Sequence, residues 1–269
     1  MARSFVLTRN APRLVGMVHL LPLPGSPRPA SLPRTIERAI ADARAWAGGG
    51  ADALLVENFG DRPFRPESVA PVTIAAMARV VAALQEAVEL PLGVNVLRND
   101  ARGALALAAA FDLAFLRVNV HAGASVADQG LLVGRADTTL RERAELRARA
   151  LILADVRVKH AAPLAPRPLE DEARDLFERA GADALLLTGP ATGARPDVAA
   201  LAELRRALPR APLLLASGVD PDLVAATRDQ VAGWIVGTWA KRGGRVAAPV
   251  DPARVKRLAR ARDAAPKGR

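Results

Sequence analysis

Gly50-Ala51-Asp52-Ala53-Leu54-Leu55 and Gly181-Ala182-Asp183-Ala184-Leu185-Leu186 are near-duplicates in distant parts of the chain. Each follows an amphipathic stretch rich in Ala, Leu and Arg and leads into a short apolar run, so both read as the same helix-to-strand turn. Outward from these two turns the alternation recurs eight times along 269 residues. The apolar runs are 14–20, 52–58, 92–97, 113–121, 151–160, 182–188, 212–217 and 233–239, each too short for a helix and several bounded by Gly or Pro. They predict buried parallel strands.

Helical patterns lie between and after them, at 32–48, 71–88, 102–110, 138–149, 169–180, 197–208, 221–229 and 251–263. Asp197, Asp220 and Asp251 mark helix starts, the last followed by Pro252 at a first helical position. Eight strand–helix units predict a closed (β/α)8 TIM barrel of the α/β class, expected as one domain over 1–269 with a basic C-terminal tail at about 264–269. Two stretches break the repeat: the proline-stiffened loop 21–27 and the long insertion 122–137. Both come after strand C-terminal ends, the face on which such barrels place their sites.

Composition limits the function classes. With 51% hydrophobic and 25% charged residues the chain has material for a substantial core, which excludes general disorder. The net charge of +10 is spread over helices, with arginines beside Glu and Asp, and Tyr is absent; a nucleic-acid partner is not expected. Zero cysteines exclude disulfides, thiolate metal sites and a cysteine nucleophile. No signal-peptide core precedes Arg9 and Asn10, and the longest apolar run, 104–116, is broken by Asp112, so a cytoplasmic protein without an integral membrane segment is expected.

Polar residues inside apolar strands need a buried partner or a ligand. The candidates are His19, Glu57, Asn58 and Asn95, with Arg98, Asn99 and Asp100 just beyond it, then Arg117, Asn119 and His121 on one face of the fourth run, and Asp155, Arg157 and Lys159 on one face of the fifth. Inward projection of Arg117, Asn119, Asp155, Arg157 and Lys159 predicts a ligand site, with a charge-paired layer propping the barrel as the alternative. Lys159 is the sole lysine before Lys241 in an arginine-using chain, which suits a Schiff-base amine, a general base or a charge partner; its alternative is a structural bridge to Asp155. The catalytic set expected is Lys159, Asp155, His121, Asn119 and Glu57.

A phosphate site is predicted where loops after the late strands offer backbone N–H groups: Thr188-Gly189, Thr192-Gly193, Ser217-Gly218 and Gly237-Thr238. Thr188, Gly189, Ser217, Gly218, Gly237 and Thr238, with His19, Asn58, Asn95, Arg117 and Arg157, make up the expected substrate-binding set. His19, His121 and His160, even with Glu57 or Asp155, lack short ligand spacing, so neither a metal nor another cofactor is expected.

At these same residues the chain resembles the BtpA/SgcQ family. The resemblance rests on Val15-Gly16-Met17-Val18-His19-Leu20, Val56-Glu57-Asn58-Phe59-Gly60-Asp61, Gly93-Val94-Asn95-Val96-Leu97-Arg98-Asn99-Asp100, Arg117-Val118-Asn119-Val120-His121, Asp128-Gln129-Gly130, Val158-Lys159-His160, Ser217-Gly218-Val219 and Val236-Gly237-Thr238. It implies a ribulose-phosphate-binding barrel; one branch is tied to photosystem I biogenesis and the other to sugar metabolism. The expected function is binding, and for an enzyme transformation, of a small phosphorylated metabolite such as a sugar phosphate or nucleotide, by lyase, isomerase or hydrolase chemistry. A non-catalytic assembly factor is the alternative. The expected partners are that ligand and further copies of the chain in a homo-oligomer.

Overall fold

The computed structural model describes residues 5–189 and 191–264. The elements run in order β1 (Arg13–His19), α1 (Leu32–Gly49), β2 (Ala53–Glu57), α2 (Pro71–Ala87), β3 (Leu92–Asn95), α3 (Ala101–Ala110), β4 (Phe115–Val118), β5 (Ala124–Ala127), β6 (Gly130–Val133) and α4 (Ala136–Glu145). Next come β7 (Leu151–Asp155), β8 (Ala161–Pro163), α5 (Leu169–Arg174), β9 (Ala184–Thr188), α6 (Val198–Ala207), β10 (Leu213–Ala216), α7 (Pro221–Thr227), β11 (Gly233–Val236) and α8 (Pro252–Asp263). The helix expected over 169–180 continues past α5 as a π-helical turn, Asp175–Arg179.

Eight parallel strands close into a barrel in the order β1-β11-β10-β9-β7-β4-β3-β2. The fold is therefore the (β/α)8 barrel that the repeat predicts. The duplicated turn has a physical reason. Asp52 Oδ2 accepts from the Leu14 N–H at 2.7 Å, and Asp183 Oδ2 accepts from the Ile152 N–H at 2.7 Å, so each aspartate holds the start of the neighbouring strand. The helix starts are also as read: Asp197, Asp220 and Asp251 accept from Ala199, Leu223 and Ala253, each cap contributing about 1 kcal/mol.

Alternation divides the strands between two apolar layers. Val15, Met17, Ala53, Leu55, Phe115, Leu153, Leu214 and Ile235 fill the barrel interior, while Leu14, Val18, Leu54, Val56, Leu116, Ile152 and Trp234 face the helices. Burying each Leu or Val contributes roughly 1.5–3 kcal/mol, so the interior is a packed core with no room for a pore. The same alternation puts His19, Glu57, Asn95, Arg117 and Asp155 inward at the strand C-terminal ends, directly above that core.

Most strands are shorter than the runs that predict them, and the fourth and fifth runs fall furthest short. The run 113–121 leaves the ladder after Val118 and the run 151–160 after Asp155. Beyond those points β5, β6 and β8 form a separate antiparallel sheet of order β6-β5-β8, so the insertion 122–137 and the segment after β7 are built together over one side of the mouth. Of the basic tail expected at about 264–269, all but Ala264 lies outside the described residues.

Candidate functional site

Asp155 anchors the floor of the mouth. Arg117 Nη2 lies 3.0 Å from its Oδ1 and 3.1 Å from its Oδ2, and Asn119 Nδ2 donates to Oδ2 at 2.6 Å. Asn95 Nδ2 in turn donates to Asn119 Oδ1 at 3.4 Å. Asp155 is thus fully engaged, and the bridge to Lys159 considered from sequence is not formed. Burial alone would lower the Arg117 pKa, but Asp155 and Glu57 outweigh it and raise it.

Two ionisable side chains above this floor remain uncommitted. The Lys159 ammonium has no hydrogen bond or ion pair among the described residues, and burial lowers its pKa, an effect Glu57 opposes. Glu57 is 2% exposed, and its carboxylate has no hydrogen bond among the described residues. Its one charged contact is His19 Nε2 at 3.8 Å, but burial, helped by Lys241, Lys159 and Arg117, holds the His19 pKa well below its usual value, so this ring is neutral near pH 7. His19 stacks on Phe59 with centroids 4.5 Å apart, and the Arg62 guanidinium sits 4.2 Å above the same Phe59 ring.

On the β10–β11 side lies a recess of about 30 Å³ lined by Thr192, Gly193, Ser217, Gly218, Val219, Gly237, Thr238, Trp239, His19, Arg117 and Lys159. The Ser217 hydroxyl is spent between loops, accepting from the Gly193 N–H at 3.1 Å and donating to the Ala191 carbonyl at 2.9 Å. By contrast, the backbone N–H groups of Gly218, Val219, Gly237 and Thr238 donate to no acceptor among the described residues. Ser217 and Gly218 hold left-handed backbone, φ 66° and 59°, which lets the loop present consecutive N–H groups. Backbone donors without acceptors, lining a recess beside a lysine, suit a cradle for an anion.

The recess opens into a chamber of about 1140 Å³ that Glu57, Phe59, Arg62, Phe64, Arg98, Asn119, Asp128, Gln129, Lys159 and His160 line. Lys159, Arg117 and Thr238 border both spaces, so the sequence-derived Lys159, Glu57, Asn119, His19, Arg117, Ser217, Gly218, Gly237 and Thr238 are brought together.

Other expected site residues are not brought to the cavity. Arg157 does not project inward: past the end of β7 it turns to the Glu172 carboxylate at 2.9 and 3.0 Å and to the Arg167 carbonyl at 2.6 Å. His121, three residues past β4, is buried with Nε2 2.9 Å from the Ala180 carbonyl oxygen. Asn58 braces loops, with Oδ1 accepting from the Leu97 N–H at 2.7 Å and Nδ2 donating to Asp61 at 3.0 Å. Thr188 donates to the Arg157 carbonyl at 2.9 Å, and Gly189 packs on the Ala194 carbonyl. Conversely, Phe59 and Arg62, outside the candidate set, line the chamber from a loop where no periodicity marks direction, and Arg98 joins them from beyond β3. Their one signal was adjacency to the polar strand ends. Among the described residues no three His, Asp or Glu side chains converge as a metal site, and no helix is long and apolar enough to cross a membrane.

The sequence profile of the BtpA family matches residues 10–264. The Photosystem I biogenesis protein BtpA of a Synechocystis strain is 44% identical over 243 residues, which is 90% of this chain and 85% of that protein. An uncharacterized protein of Archaeoglobus fulgidus is 44% identical over 248 residues, 92% of this chain and 97% of its own. Among solved structures, N-(5'-phosphoribosyl)anthranilate isomerase from Pyrococcus furiosus superposes with a TM-score of 0.58 at 13% identity, covering 94% of this chain and 100% of that one. Thiamine phosphate pyrophosphorylase from the same organism gives 0.57 at 15% identity, covering 95% and 97%. These two likenesses speak to the fold.

Proposed function

The chain belongs to the BtpA family, and from that premise we propose that its barrel binds a small phosphorylated metabolite in the recess between the β10 and β11 loops and acts on it with Lys159 and Glu57. The observation that carries this reading is a recess bordered by Lys159 and lined by Gly218, Val219, Gly237 and Thr238, whose backbone N–H groups have no acceptor among the described residues. The names of two structural neighbours, both enzymes named for phosphorylated compounds, support it.

The chemistry that fits is proton transfer next to a carbonyl. The Glu57 carboxylate, buried and without hydrogen bonds, takes a proton from a carbon beside the substrate carbonyl. The C–H electron pair becomes a C=C bond as the carbonyl π pair moves onto oxygen, and the Lys159 ammonium meets the charge that develops there. In a substrate whose deprotonated carbon bears a hydroxyl, that hydroxyl proton passes to the charged oxygen and Glu57 returns its proton to the former carbonyl carbon, which shifts the carbonyl by one carbon and completes an isomerisation. Arg117 and Asn119, fixed by Asp155, hold the floor rigid under the reacting atoms.

The test is a thermal-shift and calorimetric series with inorganic phosphate, ribose 5-phosphate and ribose. Stabilisation by the two phosphates and not by ribose is expected. Equal indifference to all three removes the reading. In that outcome the second reading, a non-catalytic assembly role supported by the name of the Synechocystis relative, takes its place.

A further inference from the structure

Arg98 faces the anion cradle from the opposite side of the mouth. In the closed order β1-β11-β10-β9-β7-β4-β3-β2, β10 and β11 lie diametrically across from β3 and β4, and Arg98 follows β3. Glu57 at the end of β2 and Lys159 beyond β7 stand to either side of the line joining them.

The surroundings of Arg98 are unusual for a buried guanidinium. It is 4% exposed, its Nη2 donates to the Lys159 carbonyl at 2.6 Å, and its Nε has no acceptor. Nor does it form an ion pair among the described residues. An arginine this deeply buried is ordinarily matched by a carboxylate, as Arg117 is by Asp155. Arg62, over Phe59 on the adjoining loop, likewise has no ion pair among the described residues. Of the acidic groups facing the chamber, Glu57 lies nearer His19 and Asp128 touches neither arginine; both act on Arg98 only through space. The chamber therefore carries unneutralised positive charge at the end remote from the phosphate cradle.

We infer that the ligand is doubly anionic: a phosphate at one end in the cradle, a second phosphate or a carboxylate at the other against Arg98 and Arg62, with the reacting carbons between Glu57 and Lys159. This rests on the phosphate reading above. It narrows the substrate class to small phosphorylated acids and bisphosphates, whose paired anionic oxygens a guanidinium receives with two parallel N–H donors.

Calorimetry with four probes tests it: octyl monophosphate, octane-1,8-diol bisphosphate, pentane-1,5-diol bisphosphate and 8-(phosphonooxy)octanoate. A double-headed probe is expected to bind at least about tenfold more tightly than the monophosphate, the scale of one charge-assisted contact. The stronger of the phosphate and carboxylate arms identifies the second group. Arg98→Met and, on an exposed side chain that folding does not need, Arg62→Gln should each erode that ratio, taken as double-headed against single-headed affinity within the same variant. Arg260→Gln on the outer surface of α8 should leave it intact. Equal affinity for single- and double-headed probes overturns the proposal while the phosphate reading stands. An equal loss in Arg260→Gln assigns the preference to bulk charge and also overturns it. Silence from all four probes overturns both.

Discussion

Arg117 and Asp155 meet as a side-by-side pair at the barrel floor, their side chains 3% and 0% exposed, with Arg117 Nη2 within 3.1 Å of both carboxylate oxygens. Because Asn119 takes a further position on Asp155 at 2.6 Å, the carboxylate forms no bridge to Lys159 and acts on it only through space. Structural and ligand-facing charges are thereby separated into two layers.

That separation predicts opposite outcomes for two substitutions. Asp155→Asn strands the Arg117 charge in the core and should cost about 3–5 kcal/mol in urea unfolding. Lys159→Met removes a partly desolvated charge with no partner, so stability should change by less than about 1 kcal/mol, while the response to ribose 5-phosphate falls at least about tenfold. A Lys159→Met protein as unstable as Asp155→Asn would return Lys159 to a structural role.

Gly237 and Gly218 separate the recess from the loop that frames it. A Cβ on Gly237 would lie 2.9 Å from His19 Cε1, in the space of the recess, whereas one on Gly218 would come within 2.3 Å of the Ala194 backbone at φ +59°. Gly237→Val is therefore expected to fold and to lose phosphate-dependent thermal stabilisation. Gly218→Val should lower the melting temperature of the free protein as well. If Gly237→Val is stabilised by phosphate as strongly as the parent, the anion binds elsewhere.

The sequence was readable wherever a two-residue period was in force. His19, Glu57, Asn95, Arg117 and Asp155 lie within strands and point inward, as alternation requires. Once β4 ends at Val118 and β7 at Asp155, the period no longer binds the side chains: Asn119 and Lys159 stay at the mouth, and His121 and Arg157 leave it. Polar residues had extended both runs without showing where pairing stops. The β5, β6 and β8 strands escaped notice because segments of four, four and three residues in a polar loop carry too little pattern. Arg98 and Arg62 needed the barrel to be closed before their position opposite the cradle could be seen.

Closure itself gives the next expectation. β1 pairs on one edge with β11 and on the other with β2, and it carries His19 into the site. Deleting residues 1–20 would leave the edges of β2 and β11 bare and the interior open, so the truncated chain should be insoluble. Recovery of a folded truncation that still responds to phosphate would contradict the role assigned to β1.

The pH dependence of binding should report Lys159 directly. Burial lowers the Lys159 pKa from its ordinary 10.5, with Arg117 and Arg98 adding to the effect and Glu57 and Asp155 opposing it. The protonated ammonium is the form that attracts a phosphate, so bound anion raises this pKa and affinity is greatest below the free-state value. Affinity then falls as pH rises through that value, at a pH below 10.5. Phosphate monoesters complete their second ionisation near pH 6, so the ligand contributes no slope above about 7.5. His19 contributes none either, since burial already keeps it neutral there. Calorimetric dissociation constants for ribose 5-phosphate between about pH 7.5 and 10 should therefore rise in the parent. They should stay level in Lys159→Arg, whose guanidinium remains charged throughout. A parent profile that is flat over this range, or one that Lys159→Arg reproduces, would show that the Lys159 ammonium does not hold the anion.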